Sequence, residues 1–563
     1  MLKLSKKLLS ILLAVMLLAL ALVPAGAAAP EGIEEDTETT ALAQEMVLAG
    51  LTEEDENAVK AAMTEFERNE EVVNAAPRVD LRGAFHTLYY DAGTPEQRPA
   101  MSLDGGGAGV LEVLLEELKG DIKTLVTDAL LNRWDDFADK LTYYTDMLLG
   151  VAAYDKNGEP VNEMDGDLNH NQWQLDMFWY DIYSYDFDWR DDPMRQADVL
   201  HEFIQKMKAK HGVEKVILTA QSGSGHLGMA YIAKYGTKDL CGFNLRASLH
   251  NGSSIFGDIV NKRISINDDA IADMTLYDDL GVSQDIQDKL IPILKALRDA
   301  ELLRIVEALG NRGVRKIIDK FYNDAVIPIL LSQPVYWAYV PVSDYEDGIK
   351  TIFGADARTG EWSGLVKKLD DYHYGVKVRV NDILKDTGTK MRTSIMANYG
   401  GTLAPLVKNA HVQADVLVDC VYASSGATVA PPAKTLKGPF FGLKPYVQKI
   451  DCGHNHISPD NVIDASTCVL PETTWFFSGG DHFKIDEYGF NTWFFAAPEP
   501  QTVFTEERYP QFLMADEERL PIPMVVEEKE RTFGEVMLQI LIKLAGVIVY
   551  AFTWWLPVVT RIF

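Results

Sequence analysis

Ser222 stands where an apolar strand would meet a helix. In "VILTAQSGSGHLGMAYIAKYG", residues 216–236, six strand-like residues run into small ones and then into a helical pattern. A serine hydroxyl on such a turn attacks an acyl carbon only if a base takes its proton and two donors hold the developing oxyanion. A strand-to-helix elbow exposes the side chain and places the next N–H, that of Gly223, at the start of a helix. Small residues two positions to either side keep the crossing backbone clear. Here they are Ala220 and Ser224, so the GxSxG pattern is absent while its steric demand is largely met. Ser224 is the poorer nucleophile, because His226 two residues on would crowd its turn. Taken alone, the junction serves a packed nucleotide fold equally well, and both readings stay open. His226 itself reads as structural or pocket-lining.

The base must titrate near neutrality and be oriented by a carboxylate. Eleven histidines in 563 residues narrow the choice. His482 follows the strand-like "TTWFFS" and a Gly-Gly turn, and Asp460 in "SPDNVID" is the expected acid. Asp464, read inside a first helical turn, and Asp481, adjacent to the histidine, compete less well. The order Ser222, Asp460, His482 is that of an α/β-hydrolase triad, with acid and base on separate loops after strands. Gly83 in "LRGAFHT" is the hinge for the second oxyanion donor, offering the N–H of Ala84 or Phe85 beside that of Gly223. His86 then lines the pocket. His454 and His456 in "CGHNHISP" lack the partners of a metal site, and neither a metal nor another cofactor is expected. The glycine-rich "DGGGAG" at 104–109 lacks the GK[ST] of a nucleotide loop. The polar stretch "DKNGEPVNEMDGDLNHNQ" lacks the glycine and final glutamate of a calcium loop.

The order of elements around these residues is strand, helix, strand, serine turn, helix, which predicts an α/β sheet. The first strand falls within "RVDLRGAFHTLYY". A helix is predicted over "PMRQADVLHEFIQKMKAKH", residues 193–211, and a strand over "KVILTA". Residues 76–260 read as the first part of the core and 261–399 as a mostly helical cap or lid. The second part, 400–498, resumes with strands in "ADVLVDCVYASSG" and "TTWFFSGG". Residues 29–75 form a helical extension and 499–535 a polar connector. Residues 1–28, with three lysines before an apolar run and a small-residue exit, read as a secretory signal peptide. The apolar end, 536–563, is long enough for a spanning or interfacial helix. An exported chain permits a disulfide, for which Cys452 and Cys468 are candidates. The formal net charge of -30 argues against nucleic acid as a partner.

With "YDFDWRDDP" ahead of the serine turn, and "SPDNVID" and "GGDHF" after it, the chain resembles the lipase branch of the α/β-hydrolase superfamily, particularly its lecithin:cholesterol acyltransferase-like group. By that resemblance Ser222, Asp460 and His482 match the family triad. Asp188, Trp189 and Arg190 match its DWR structural segment, and Gly83 with Ala84 and Phe85 looks like its oxyanion loop. Ala220 and Ser224 replace both elbow glycines, Gln221 stands where histidine is frequent, and Arg82 precedes Gly83. The resemblance implies a sheet with helices on both faces beneath a helical lid. It also implies an exported or membrane-attached serine lipase or carboxylesterase acting on an acyl ester or lipid. An acyltransferase of the same fold, or a noncatalytic surface protein built on it, are the alternatives.

Overall fold

The computed structural model describes residues 76–526, excepting Phe85, residue 498 and stretches within 102–132, 169–181, 275–302, 437–452, 480–487 and 517–519. The segments 1–28, 29–75 and 536–563, and the glycine-rich 104–109, therefore lie outside the described residues. Among the described residues, no helix is long and apolar enough to cross a membrane.

Among the described residues, nine strands form one sheet. They are β1 Arg78–Leu81, β2 Gln172–Trp173, β3 Ile182–Tyr185, β4 Val216–Gln221, β5 Leu240–Arg246, β6 Arg392–Tyr399, β7 Thr474–Ser478, β8 Phe512–Ala515 and β9 Pro521–Pro523. Across the sheet the order is β9-β8-β7-β6-β5-β4-β1-β3-β2. The seven strands from β8 to β3 run parallel, and the antiparallel β9 and β2 close the two edges. Parallel strands are covered on both faces and so read as apolar runs. The first five residues of "VILTAQ" in β4 are all buried.

Helices α1 Trp134–Leu149, α2 Pro193–His211 and α3 Gly225–Tyr235 belong to the first half of the chain, and α10 Tyr488–Ala496 follows β7. Helix α2 starts where Asp192 accepts a bond from the Met194 N–H and Pro193 needs none, and it stops at Gly212 with φ +67°. Both faces of the sheet carry helices. In β5 the ring of Phe243 packs on Gly228 of α3, while its neighbour Gly242 lies under the ring of Phe495 of α10. Successive strand residues point to opposite faces, so α3 and α10 cover opposite sides.

Between β5 and β6 the chain leaves the sheet as a helical cap. Its helices include a short one at Asp268–Met274 and α4 Ser254–Val260, α5 Leu303–Phe321, α6 Pro334–Ala338, α7 Val342–Phe353, α8 Ser363–Gly375 and α9 Val380–Lys390. A π-helical stretch, Tyr322–Leu331 with Pro328 inside it, joins α5 to α6. The cap ends earlier than the sequence suggests, because β6 takes residues 392–399. That strand is disguised by polar residues that pair across the sheet: the Ser394 hydroxyl accepts from Asn244 Nδ2 of β5 at 2.8 Å. Conversely 414–426, expected as a strand, is a tight turn followed by a short helix, Cys420–Ala423. The Asp415 carboxylate curls that segment by accepting from the N–H groups of Leu417 and Val418. Part of the expected connector 499–535 also belongs to the sheet, as β8 and β9.

Candidate active site

The site lies along the carboxyl ends of the parallel strands. Strands β1 and β4 are paired so that Leu81 sits opposite Ala220. The next residues of each strand must then meet, and a side chain on Gly83 would touch the Ser222 Cβ at 3.4 Å. Ser222 has φ +54°, a left-handed conformation that costs a non-glycine residue energy and clusters at functional sites. Its burial is nearly complete, at 2 % exposed.

The departures from the glycine pattern are compensated nearby. Ala220 packs beneath Gly228 of α3, where any side chain would also strike Phe243. Ser224 Oγ donates to the carbonyls of Leu81 (2.9 Å) and Gln221 (2.8 Å) and accepts from the Gln221 N–H (3.0 Å). It fastens the elbow to the end of β1. The glycines that the turn requires are instead Gly223, whose missing side chain leaves room for Ala84 and the Tyr339 hydroxyl, and Gly225, where one would run into Ser248 Oγ.

The loop of Gly83 and Ala84, expected from the sequence as an oxyanion loop, is held by the segment that the resemblance marked. His86 Nδ1 lies 2.9 Å from the Gly83 carbonyl, and Nε2 lies 2.9 Å from the Phe187 carbonyl and 3.4 Å from its N–H. Burial holds its pKa below the ordinary value, favouring a neutral ring. Trp189 Nε1 donates to the His86 carbonyl at 3.0 Å. Asp188 and Arg190 form two buried 2.8 Å bonds, and Tyr154 donates to Asp188 at 3.2 Å. Removing one member of such a buried pair costs about 3–5 kcal/mol. The Arg190 carbonyl accepts the N–H of Val335 in α6 at 3.3 Å, so one segment braces both the oxyanion loop and the cap. Ala84 is buried beside Gly223, with its N atom 3.3 Å from where a Gly223 Cβ would be. Phe85, the alternative donor, lies outside the described residues. His86 is thus a brace for the loop rather than a pocket wall.

At the carboxyl ends of β6 and β7, the carboxylate beside His482 is not the expected Asp460. His482 Nδ1 lies 2.7 Å from Asp415 Oδ2, with the histidine 3 % and the aspartate 0 % exposed. A carboxylate oxygen accepts, so Nδ1 is the donor of this bond and Nε2 is the ring nitrogen left to act as a base. Val416, directly after Asp415, has φ +80°, an outlier for a β-branched residue. Asp460 is engaged elsewhere: it accepts from the Tyr399 hydroxyl at 3.1 Å and the Val462 N–H at 3.1 Å, and from Ser458. It pins its own turn to the end of β6. Asp464 caps the short helix Ala465–Thr467 through the Ser466 N–H, and Asp481 lies outside the described residues. Sequence pattern hides Asp415, because the apolar residues around it in "ADVLVDC" read as a strand. Ser222 Oγ and His482 are not hydrogen-bonded to each other in this structure, an arrangement common before substrate tightens a site.

Cap and elbow meet through aromatic and basic groups. His226 Nδ1 bonds the Gly223 carbonyl, and its ring meets the edge of Tyr339 at 5.4 Å. Burial pushes its pKa down to about 4. His250 is pushed down to about 3, by burial and then by Lys377. Lys377, itself buried, donates to the carbonyls of His250 (3.0 Å) and Ala338 (2.7 Å). The two rings in "CGHNHISP" are structural: His456 bonds Gln511 at 2.7 Å and His454 stacks on Phe504. Cys468 is a buried free thiol, and Cys452 lies outside the described residues. Among the described residues, no group of three or more His, Cys, Asp or Glu is placed to hold a metal ion.

The fold and site define an α/β protein with a serine elbow and a histidine–carboxylate pair at the carboxyl ends of its parallel strands. The chain matches no protein-family model, and no curated protein and no solved structure matches it.

Proposed function

We propose that the chain is a serine-dependent ester hydrolase of the α/β-hydrolase fold, a lipase or carboxylesterase. The observation that carries this reading is the His482–Asp415 pair at 2.7 Å, at the carboxyl ends of the same parallel strands as a strained serine elbow. The strand order supports it too, with the serine after β4, the acid after β6 and the histidine after the adjacent β7. Ser222 Oγ attacks the ester carbonyl carbon as its proton passes to His482 Nε2. Asp415 stabilises the imidazolium, and the N–H groups of Gly223 and Ala84 hold the oxyanion. Collapse of the tetrahedral species breaks the bond to the leaving alcohol, which takes the proton from His482. Water, deprotonated by the same nitrogen, then cleaves the acyl-serine to a carboxylic acid.

The near-complete burial of Ser222 and His482 supports a cap that must open to admit substrate. The same seal favours, as a second reading, acyl transfer to an alcohol other than water. An acyl ester of lipid type suits a cap rich in apolar and aromatic groups. Export through residues 1–28 and membrane contact through 536–563 belong to this proposal. The test is a fluorophosphonate probe on the full chain, with Ser222→Ala as control and the adduct located by mass spectrometry. An adduct on Ser222 with turnover of short esters is expected. A folded protein that takes no probe at Ser222 overturns the reading.

A further inference from the structure

The cap places a second buried hydroxyl at the elbow. Tyr339 follows α6 and is fully buried, yet its hydroxyl has no hydrogen-bond partner. An unsatisfied buried hydroxyl is destabilising, so its place calls for a compensating role. The hydroxyl lies against Gly223, 2.6 Å from where that residue's Cβ would be, on the side where Ala84 N lies 3.3 Å from the same point. The Tyr339 hydroxyl and Ala84, one backbone donor assigned to the oxyanion, thus both crowd onto Gly223, the other.

The ring is firmly mounted. Its backbone carbonyl accepts the Ser253 N–H at 3.0 Å, and its own N–H bonds Tyr336 at 3.3 Å. Phe256 packs on one side at 4.9 Å between ring centres and His226 meets another at 5.4 Å. Lys377 anchors the preceding carbonyl, that of Ala338, at 2.7 Å. The contacts of Gly252 add a further limit, since a side chain there would strike the Tyr339 carbonyl. A phenol held this way loses little entropy when it donates a bond.

We propose that Tyr339 is a catalytic residue, the third donor to the oxyanion, supplied by the cap and not by the sheet. It rests on the reading of Ser222 as an acyl-accepting nucleophile. Burial keeps the phenol protonated, so it remains a donor throughout the cycle. Its bond forms only when a negative oxygen occupies the elbow, which makes it an interaction of the transition state and not of the bound ester. Because the donor travels with the cap, an open cap exposes Ser222 to substrate but leaves the oxyanion site incomplete.

The test is Tyr339→Phe in the full chain, which removes one oxygen and leaves the ring. Against p-nitrophenyl esters, kcat is expected to fall about 100-fold, the cost of one oxyanion donor, with KM little changed. Affinity for a trifluoromethyl ketone, whose adduct carries the oxyanion, falls by the same factor. The melting temperature holds or rises, since an unsatisfied group has been removed; a hydroxyl with a merely structural role would instead lower it. A variant with wild-type kcat and ketone affinity overturns the proposal while the serine reading stands. A wild-type chain that neither turns over esters nor takes the probe at Ser222 removes both.

Discussion

The serine elbow and the loop that carries Asp415, here the acid loop of the proposal, stand at the same ends of the strands of one sheet, yet they are built differently. At the elbow the chain turns within three residues, and every constraint is local or one strand away: Ser222 on a left-handed turn, Gly223 without a side chain, Ser224 tied to Leu81. The acid loop runs from the end of β6 at Tyr399 to the start of β7 at Thr474 and holds five aspartates; among the described ones Asp415 bonds His482, Asp419 bonds Ser254, Asp460 bonds Tyr399 and Asp464 bonds the Ser466 N–H. A short turn announces its function through sterics. A long loop conceals its function, because which carboxylate reaches the histidine depends on how the whole loop folds.

The largest expected effect separates the two acidic residues directly. Asp415→Asn leaves the shape of the site but allows the His482 ring the wrong tautomer, and kcat should fall about 10⁴-fold. Asp460→Asn removes charge from a hydroxyl-bonded turn and should leave kcat within an order of magnitude, its main effect being on stability. Steady-state ester hydrolysis by the two variants decides between them. Equal losses, or a larger one at Asp460, would return the acid to the position the sequence suggests.

What the sequence made legible follows the same division. The Val216–Gln221 strand, the Pro193–His211 helix and the serine turn are each set by local pattern and caps, and they appear where pattern places them. Ser222, Gly83, Ala84 and the Asp188–Arg190 segment fall together for that reason. Strand β6 was missed because Ser394 and Asn398 interrupt its apolar run, and the Ser394 hydroxyl is satisfied only by Asn244 on another strand. With β6 disguised in this way, the apolar run around Asp415 reads as the next strand. Tyr339 has no sequence signal at all, since its approach to Gly223 is a property of how the cap docks.

A second contrast lies in the histidines. His482 rests on a carboxylate, whereas His226 and His250 on the elbow side rest on a carbonyl and on the Ser425 hydroxyl, with Lys377 close by. Their folded pKa values, about 4 and about 3, lie below the unfolded value of 6.5. Between these limits the unfolded chain binds protons that the folded chain refuses, so stability rises with pH there and is fully present above 6.5. Acidifying through this window should cost on the order of 3 kcal/mol for His226 alone. Thermal melts from pH 7 to 4 should show a shallower slope for His250→Asn than for the wild type. An unchanged slope would mean that the buried imidazole does not contribute to the acid sensitivity of the elbow side.

The smallest effect tests whether Ser224 does structurally what a glycine does elsewhere by absence. Its hydroxyl donates to Leu81 and Gln221 and accepts from the Gln221 N–H, all within a buried junction. Ser224→Ala keeps the small size but leaves the Leu81 carbonyl without that donor, a loss of about 1–2 kcal/mol by chemical denaturation. Ser224→Gly loses the same bonds and adds backbone freedom, so it should be no more stable than the alanine variant, although it restores the second glycine of a GxSxG turn. If glycine proved the more stable, the elbow would be limited by space at this position, as it is at Gly223, and the tie to β1 would be incidental. If alanine and glycine both lose stability while Ser222 keeps its reactivity toward the probe, the serine is a fastener between β1 and the turn, and the missing glycine carries no penalty for the chemistry.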